Sequence, residues 1–127
     1  MQFVIKRDIL LKSLNFVQGV VEKKNTLPIL SNVLIELKGK KLSIVATDLD
    51  IVFKDEIDDV KSITEGSTTT SAAILFDILR KISSNSEINF DLKSENKLSL
   101  KSENADFNLL CLPIDNFPTF ADEFESQ

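Results

Sequence analysis

The chain has 127 residues, of which 43% are hydrophobic and 28% charged, with three Gly, three Pro, one Cys and a formal net charge of −5. This length suits one domain, or two very small ones, with a true core, and the composition excludes a disordered, collagen-like or low-complexity protein. The absence of His, Trp and Tyr removes the commonest general base and a frequent metal ligand, so most hydrolase and zinc chemistries lack their parts.

In chain order, "QFVI" (residues 2–5) reads as a short strand. From about Arg7 to Val21, the residues Leu10, Leu14, Val17 and Val21 recur at helical spacing and predict an amphipathic helix. At about 100° per residue, Asp8, Lys12, Asn15 and Gly19 fall on the opposite side, so Lys12 is expected to point away from the core. "NVLIEL" (32–37) and "KLSIVATD" (41–48) are β-rich and are joined by "KGKK", a hairpin turn. "IVFKDEID" (51–58) alternates apolar and polar residues, with Ile51, Phe53 and Ile57 assigned to one face and the acids largely to the other.

After "EGS" (65–67) the pattern begins again. "STTT" reads as a strand, Ser71 as a helix N-cap, and Ile74, Leu75, Ile78, Leu79 and Ile82 as a second apolar stripe, with Ala73 and Arg80 off it. Three β runs follow: "INFDL", "KLSL" and "DFNLLCL". "DILLKSL" (8–14) and "AILFDIL" (73–79) share an apolar spacing that matches Ile9, Leu10 and Leu14 with Ile74, Leu75 and Leu79. The chain therefore reads as an α+β domain built from two copies of a strand, a helix and three strands.

The tetrapeptide Lys-Ser-Glu-Asn occurs at 93–96 and again at 101–104, on either side of "KLSL". Ser and Asn bond their own backbone and tolerate unusual φ, so both copies read as turns that deliver "DFNLLCL" as a terminal edge strand. Cys111 is the sole cysteine and sits in the apolar run "LLCLP", as a small core residue would. No apolar run approaches the roughly 18 residues of a membrane span, and the start lacks the order of a signal peptide, so a cytoplasmic location follows by default. Charge is unevenly spread. Residues 1–24 carry Lys6, Arg7, Lys12, Lys23 and Lys24 against Asp8 and Glu22, whereas 46–66 carry seven acids against Lys54 and Lys61.

"NTLPILSNVLIEL" (25–37), "LSIVATDLDI" (42–51) and "LPIDNFP" (112–118), with Gly66 and "ILFDILRKI" in register, resemble the first domain of the bacterial DNA sliding clamp, the beta subunit of DNA polymerase III. The resemblance implies the DNA clamp fold, with two helices on one face of antiparallel sheets. Residues 1–120 would form the first domain, and 121–127 would begin a connector to a second. It also implies a non-catalytic processivity factor of a DNA-directed DNA polymerase, free of cofactor and metal, acting as a homodimeric ring around duplex DNA. Lys24 matches a DNA-contacting position of the family, and helical geometry adds Lys12, Lys23 and Arg80. Phe107 and Leu109 match the contacts made with the third domain of a second subunit, with Ile74 and Ile78 as their helical neighbours. DNA polymerase III and the clamp loader would be met by parts of the full-length protein beyond this stretch. The sequence departs from the family at Ala73, where a basic residue is frequent, at Thr70 and Ser71, where Val-Pro is common, at Asn104 and Asp106, in places that can be basic, and at Asn116, where an acid is usual.

Two other classes compete with that reading. Asp48, Asp50, Asp55, Glu56, Asp58 and Asp59 could hold Mg²⁺ for phosphoryl transfer if they converged, although alternation with apolar residues suits a half-exposed strand better. The terminal strand could instead serve as an edge that binds an unrelated protein.

Overall fold

In the computed structural model of the chain, the described residues are 1–21, 28–48, 51–103 and 105–118. Lys23, Lys24, Asp50, Asn104 and the expected connector at 121–127 lie outside them, as do the side chains of Val21 and Asn116.

The elements are β1 (Gln2–Lys6), α1 (Arg7–Val21), β2 (Asn32–Lys38), β3 (Lys41–Thr47), β4 (Val52–Ile57), β5 (Val60–Thr64), β6 (Gly66–Ser71), α2 (Ala72–Lys81), β7 (Glu87–Ser94), β8 (Lys97–Ser102) and β9 (Ala105–Leu112). Among the described residues, nine strands lie in the order β4-β3-β2-β6-β9-β8-β7-β1-β5, and every pairing is antiparallel. The repeat expected from the sequence is present, and the two halves trade strands. β1 pairs with β7 of the second half, and β6 pairs with β2 of the first. At the first of these junctions Phe3 sits opposite Phe90 and the rings stack, with centroids 4.8 Å apart.

Both helices bury the stripe that their spacing predicts. Leu10, Leu14 and Val17 of α1 are buried, while Asp8, Lys12, Asn15 and Gly19 are exposed. Ser71 caps α2, its Oγ accepting from the Ile74 N–H at 3.2 Å. Leu75, Ile78, Leu79 and Ile82 enter the core, but Ile74 is 53% exposed, because one step of about 100° from Leu75 carries it to the flank of the stripe. On the outer face of the sheet, Ile29, Leu30 and Phe117, from two 3₁₀ turns and their flank, cover Val45, with Leu34 and Val52 alongside.

Three strand expectations are corrected. The first half has an additional strand, β5: the chain turns at Asp58 and Asp59, where Val60 N–H donates to the Asp58 carbonyl at 2.9 Å, leaves β3 and joins β1. β9 is not an edge along its whole length. Residues up to Leu110 pair with β8, and Cys111 and Leu112 pair with β6. Buried Thr69 and Thr70 explain this second seat, since their hydroxyls donate to the Leu112 and Leu110 carbonyls, each at 2.9 Å. In β4, Ile51 precedes the strand and is exposed, whereas Asp55 shares the inward side with Phe53 and Ile57 and is partly buried. The KSEN copies are turns only in part: Lys93 and Ser94 end β7 and Lys101 and Ser102 end β8, while Glu95 and Asn96 separate β7 from β8, Glu103 follows β8, and the Ser94 hydroxyl donates to Asn96 Oδ1 at 2.9 Å.

Thr69 Oγ1 also accepts from Asn32 Nδ2 at 3.2 Å, so one hydroxyl joins β2, β6 and β9. Thr69→Val keeps the shape and strands both partners, and should cost about 1–3 kcal/mol. Urea unfolding should show a lower midpoint at unchanged slope, whereas Thr64→Val at an exposed position should stay within about 0.5 kcal/mol of wild type. Equal midpoints for the two variants would mean that backbone pairing alone seats the end of β9.

Candidate nucleic-acid face and strand edges

α1 and α2 pack against each other on the sheet, and Arg7 fastens them. Its Nε donates to the Leu79 carbonyl in the last turn of α2 at 2.8 Å, and its Nη1 donates to Asp8 Oδ1 at 2.8 Å. Asp8 Oδ2 in turn accepts from the Asn85 N–H at 3.3 Å. The Leu79 carbonyl also accepts from the Ile82 N–H at 3.3 Å, and a guanidinium at the carbonyl end of a helix complements the helix dipole. Exposed on the helices are Lys12, Arg80 and Lys81 against Asp8 and Asp77. Arg80 lies over the Phe76 ring, 5.6 Å from its centroid, which holds the cation near the helix surface. Lys12 lies farther round α1, toward β4, in a groove that it shares with Asp55 and Asp59.

The four residues expected at a subunit contact divide into two pairs. Ile74 is exposed and Phe107 half-buried, whereas Leu109 and Ile78, 5% and 7% exposed, belong to the core and support the other two from beneath. Along Ala105–Leu109, β9 pairs only with β8 among the described residues, so this stretch keeps one open side. Asp106, in a place that can be basic, sits opposite Lys101 of β8. Leu110 escaped the sequence reading and is 83% exposed on the other face of β9. Alternation alone requires one of the adjacent Leu109 and Leu110 to face out.

The groove between α1 and β4 was also missed. It measures about 430 Å³ and is lined by Ile9, Phe16, Phe53 and Ile57 along with the charged groups. Phe16 stacks on Phe53 with centroids 5.9 Å apart, and Ser13 Oγ is buried beside them with no partner among the described residues.

Among the described residues the acids of the run do not converge. Asp48 Oδ1 accepts from the Ile51 N–H at 2.8 Å, Glu56 pairs with Lys41 and Lys54 at 4.0 and 3.8 Å, and Asp58 and Asp59 stand exposed at the β4–β5 corner. Among the described residues no three His, Cys, Asp or Glu group as metal ligands would. Burial raises the Cys111 thiol above its ordinary range, opposed by a hydrogen bond with Thr68, and so disfavours the reactive thiolate.

Over residues 1–121 the sequence matches the family described as DNA polymerase III beta subunit, N-terminal domain. The chain belongs to that family. It is 38% identical to a beta sliding clamp of Pseudomonas putida over 119 residues, covering 94% of this chain and 32% of that protein. With a beta sliding clamp of Caulobacter vibrioides it shares 37% identity, covering 97% of this chain and 33% of the relative. A crystal structure of a sliding clamp from Bartonella birtlesii superposes with a TM-score of 0.87 at 38% identity, covering 94% of this chain and 33% of that one. The chain thus spans about a third of the length of the sliding clamps that it matches, and its two-helix, nine-strand architecture is the clamp fold.

Because Arg7 bridges the helices, Arg7→Ala should remove the charged donor to the Leu79 carbonyl, leaving it the Ile82 N–H alone, and cost about 1.5–3 kcal/mol. Amide hydrogen exchange is the discriminating measurement. The last turn of α2 should lose protection more than the turns between β7, β8 and β9, and a uniform loss would mean that Arg7 does not act locally.

Proposed function

We propose that this chain supplies the first part of a ring that encircles duplex DNA and tethers DNA polymerase III for processive replication. It would have no catalytic role of its own. The observation that carries this reading is family membership over residues 1–121, joined to a pair of packed helices that expose Lys12 and Arg80. Lys12, Arg80, Lys23 and Lys24 would attract phosphates, and contacts to phosphate carry no sequence information, so they hold a ring without fixing its position. The acids on the strands and their turns would keep the outer wall from sticking to DNA.

Residues 1–120 would act as one domain, followed by a connector. The open stretch of β9, with Phe107 and Leu109 on it and Ile74 and Ile78 beside it, would meet the third domain of a second subunit in a full-length homodimer. DNA polymerase III and the clamp loader would bind elsewhere on the full-length protein, in the cytoplasm.

Fluorescence anisotropy with a labelled duplex tests the DNA face. Binding should be weak, with a Kd of roughly 10⁻⁴ to 10⁻⁶ M, strongly dependent on salt and indifferent to base sequence. Lys24→Glu should weaken it, and Lys12→Ala should lower the slope of log K against log salt by about 0.9 if Lys12 neutralises one phosphate. Phe107→Ala should leave binding unchanged. An equal loss from Phe107→Ala and Lys24→Glu would contradict the separation of DNA face from subunit edge.

A further inference from the structure

The chain has two arginines, Arg7 and Arg80, and the fold treats them oppositely. Arg7 is partly buried and committed, its Nε serving the Leu79 carbonyl and its Nη1 the Asp8 carboxylate. Arg80 is exposed in the last turn of α2, and among the described residues no hydrogen bond or ion pair engages its guanidinium. Asp77 stands three positions back on the same helix, a spacing at which opposite charges can pair. The guanidinium lies instead over Phe76, its Cζ 5.6 Å from the ring centroid. Phe76 is itself partly buried against the core, so the ring is held from beneath. Lys12 also has a ring four positions away, Phe16, but that ring stacks on Phe53.

We propose that Phe76 is a positioning residue for DNA: its ring fixes the Arg80 guanidinium on the helix surface with its N–H donors unspent, and Arg80 then clamps one phosphate of the duplex through paired hydrogen bonds. This rests on the reading of the helices as the DNA face, and it gives Arg80 a firmer hold on phosphate than Lys12 has. A ring attracts the cation through its π face and takes none of the in-plane N–H groups, whereas a carboxylate would occupy them. The seat on Phe76 thus keeps Asp77 from competing with phosphate. A planar fork suits a phosphate, to which it makes two parallel bonds, while a lysine ammonium acts as a point charge. Binding must otherwise freeze a long flexible side chain, and a guanidinium already seated on a ring has lost that freedom beforehand. Such a clamp follows the backbone and ignores the bases, as a moving ring requires.

Anisotropy of a labelled duplex at low salt, read as a double-mutant cycle on the chain, is the test. Every variant should keep the wild-type circular dichroism. Arg80→Ala should weaken binding at least ~5-fold and lower the slope of log K against log salt by about 0.9. Phe76→Leu keeps apolar bulk against the core and removes the π face, and should weaken binding about 2- to 5-fold, the worth of an exposed cation–π contact. Made on Arg80→Ala, the same substitution should cost almost nothing further, and Phe76→Tyr, which keeps a ring, should bind more tightly than Phe76→Leu. A loss from Phe76→Leu that is equal with and without Arg80 would mean that the ring acts on the fold alone, and would overturn the proposal. So would a Phe76→Leu variant that binds as wild type beside a weakened Arg80→Ala, since Arg80 would then need no ring. Arg80→Ala that binds as wild type, beside a weakened Lys12→Ala, would overturn it as well and leave the DNA face standing. Chain that binds no duplex even at low salt would unseat both.

Discussion

β1 finds its ladder partner in β7, and β6 finds its partner in β2, so each half of the chain completes the sheet of the other. The stacked rings of Phe3 and Phe90 lie at one of these junctions, and the Asn32–Thr69 hydrogen bond lies at the other. A single half would leave β1 or β6 without that neighbour and would expose the apolar side of its helix. Burial of both stripes at once requires the helices to lie together on one face of the sheet, which they do.

That constraint places the charges. Once Leu10, Leu14 and Val17 face the sheet, helical geometry sends Lys12 outward, and burial of Leu75, Ile78 and Leu79 does the same for Arg80. A domain with a net charge of −5 can then carry exposed cations on its helices while acids gather on strands and turns. The Arg7 bridge ties those helices together through the Leu79 carbonyl at the end of α2, which the Ile82 N–H also reaches.

Much of this was legible because helices and turns are written in local chemistry. The two stripes, the Ser71 cap and the paired KSEN turns depend on residues a few positions apart, and the structure has them where spacing puts them. What escaped depends on partners distant in sequence. β5 carries no continuous apolar run: its Ile63 is exposed, and pairing with β1 is what makes it a strand. The crossing of β9 into a second pairing is decided by Thr69 and Thr70, whose hydroxyls gain their role only from carbonyls some 40 residues away. Ile74 shows the limit of stripe-reading itself, since a residue at the margin of an apolar arc is buried or exposed according to what stands beside the helix. The α1–β4 groove needed the fold outright, because Phe16 and Phe53 lie 37 positions apart and meet only across the domain.

The same repeat explains why the two open edges differ in character. An unpaired strand edge invites indiscriminate pairing unless something limits it. On β4 the outward side carries Lys54 and Glu56, in an ion pair, and Asp55 takes the inward place that Phe107 holds on β9. Along its open stretch the outward side of β9 carries Asp106 and Asn108, with exposed Leu110 beyond them. Each edge thus combines polar groups on one face with an apolar flank next to a helix, so backbone pairing alone gives a poor contact.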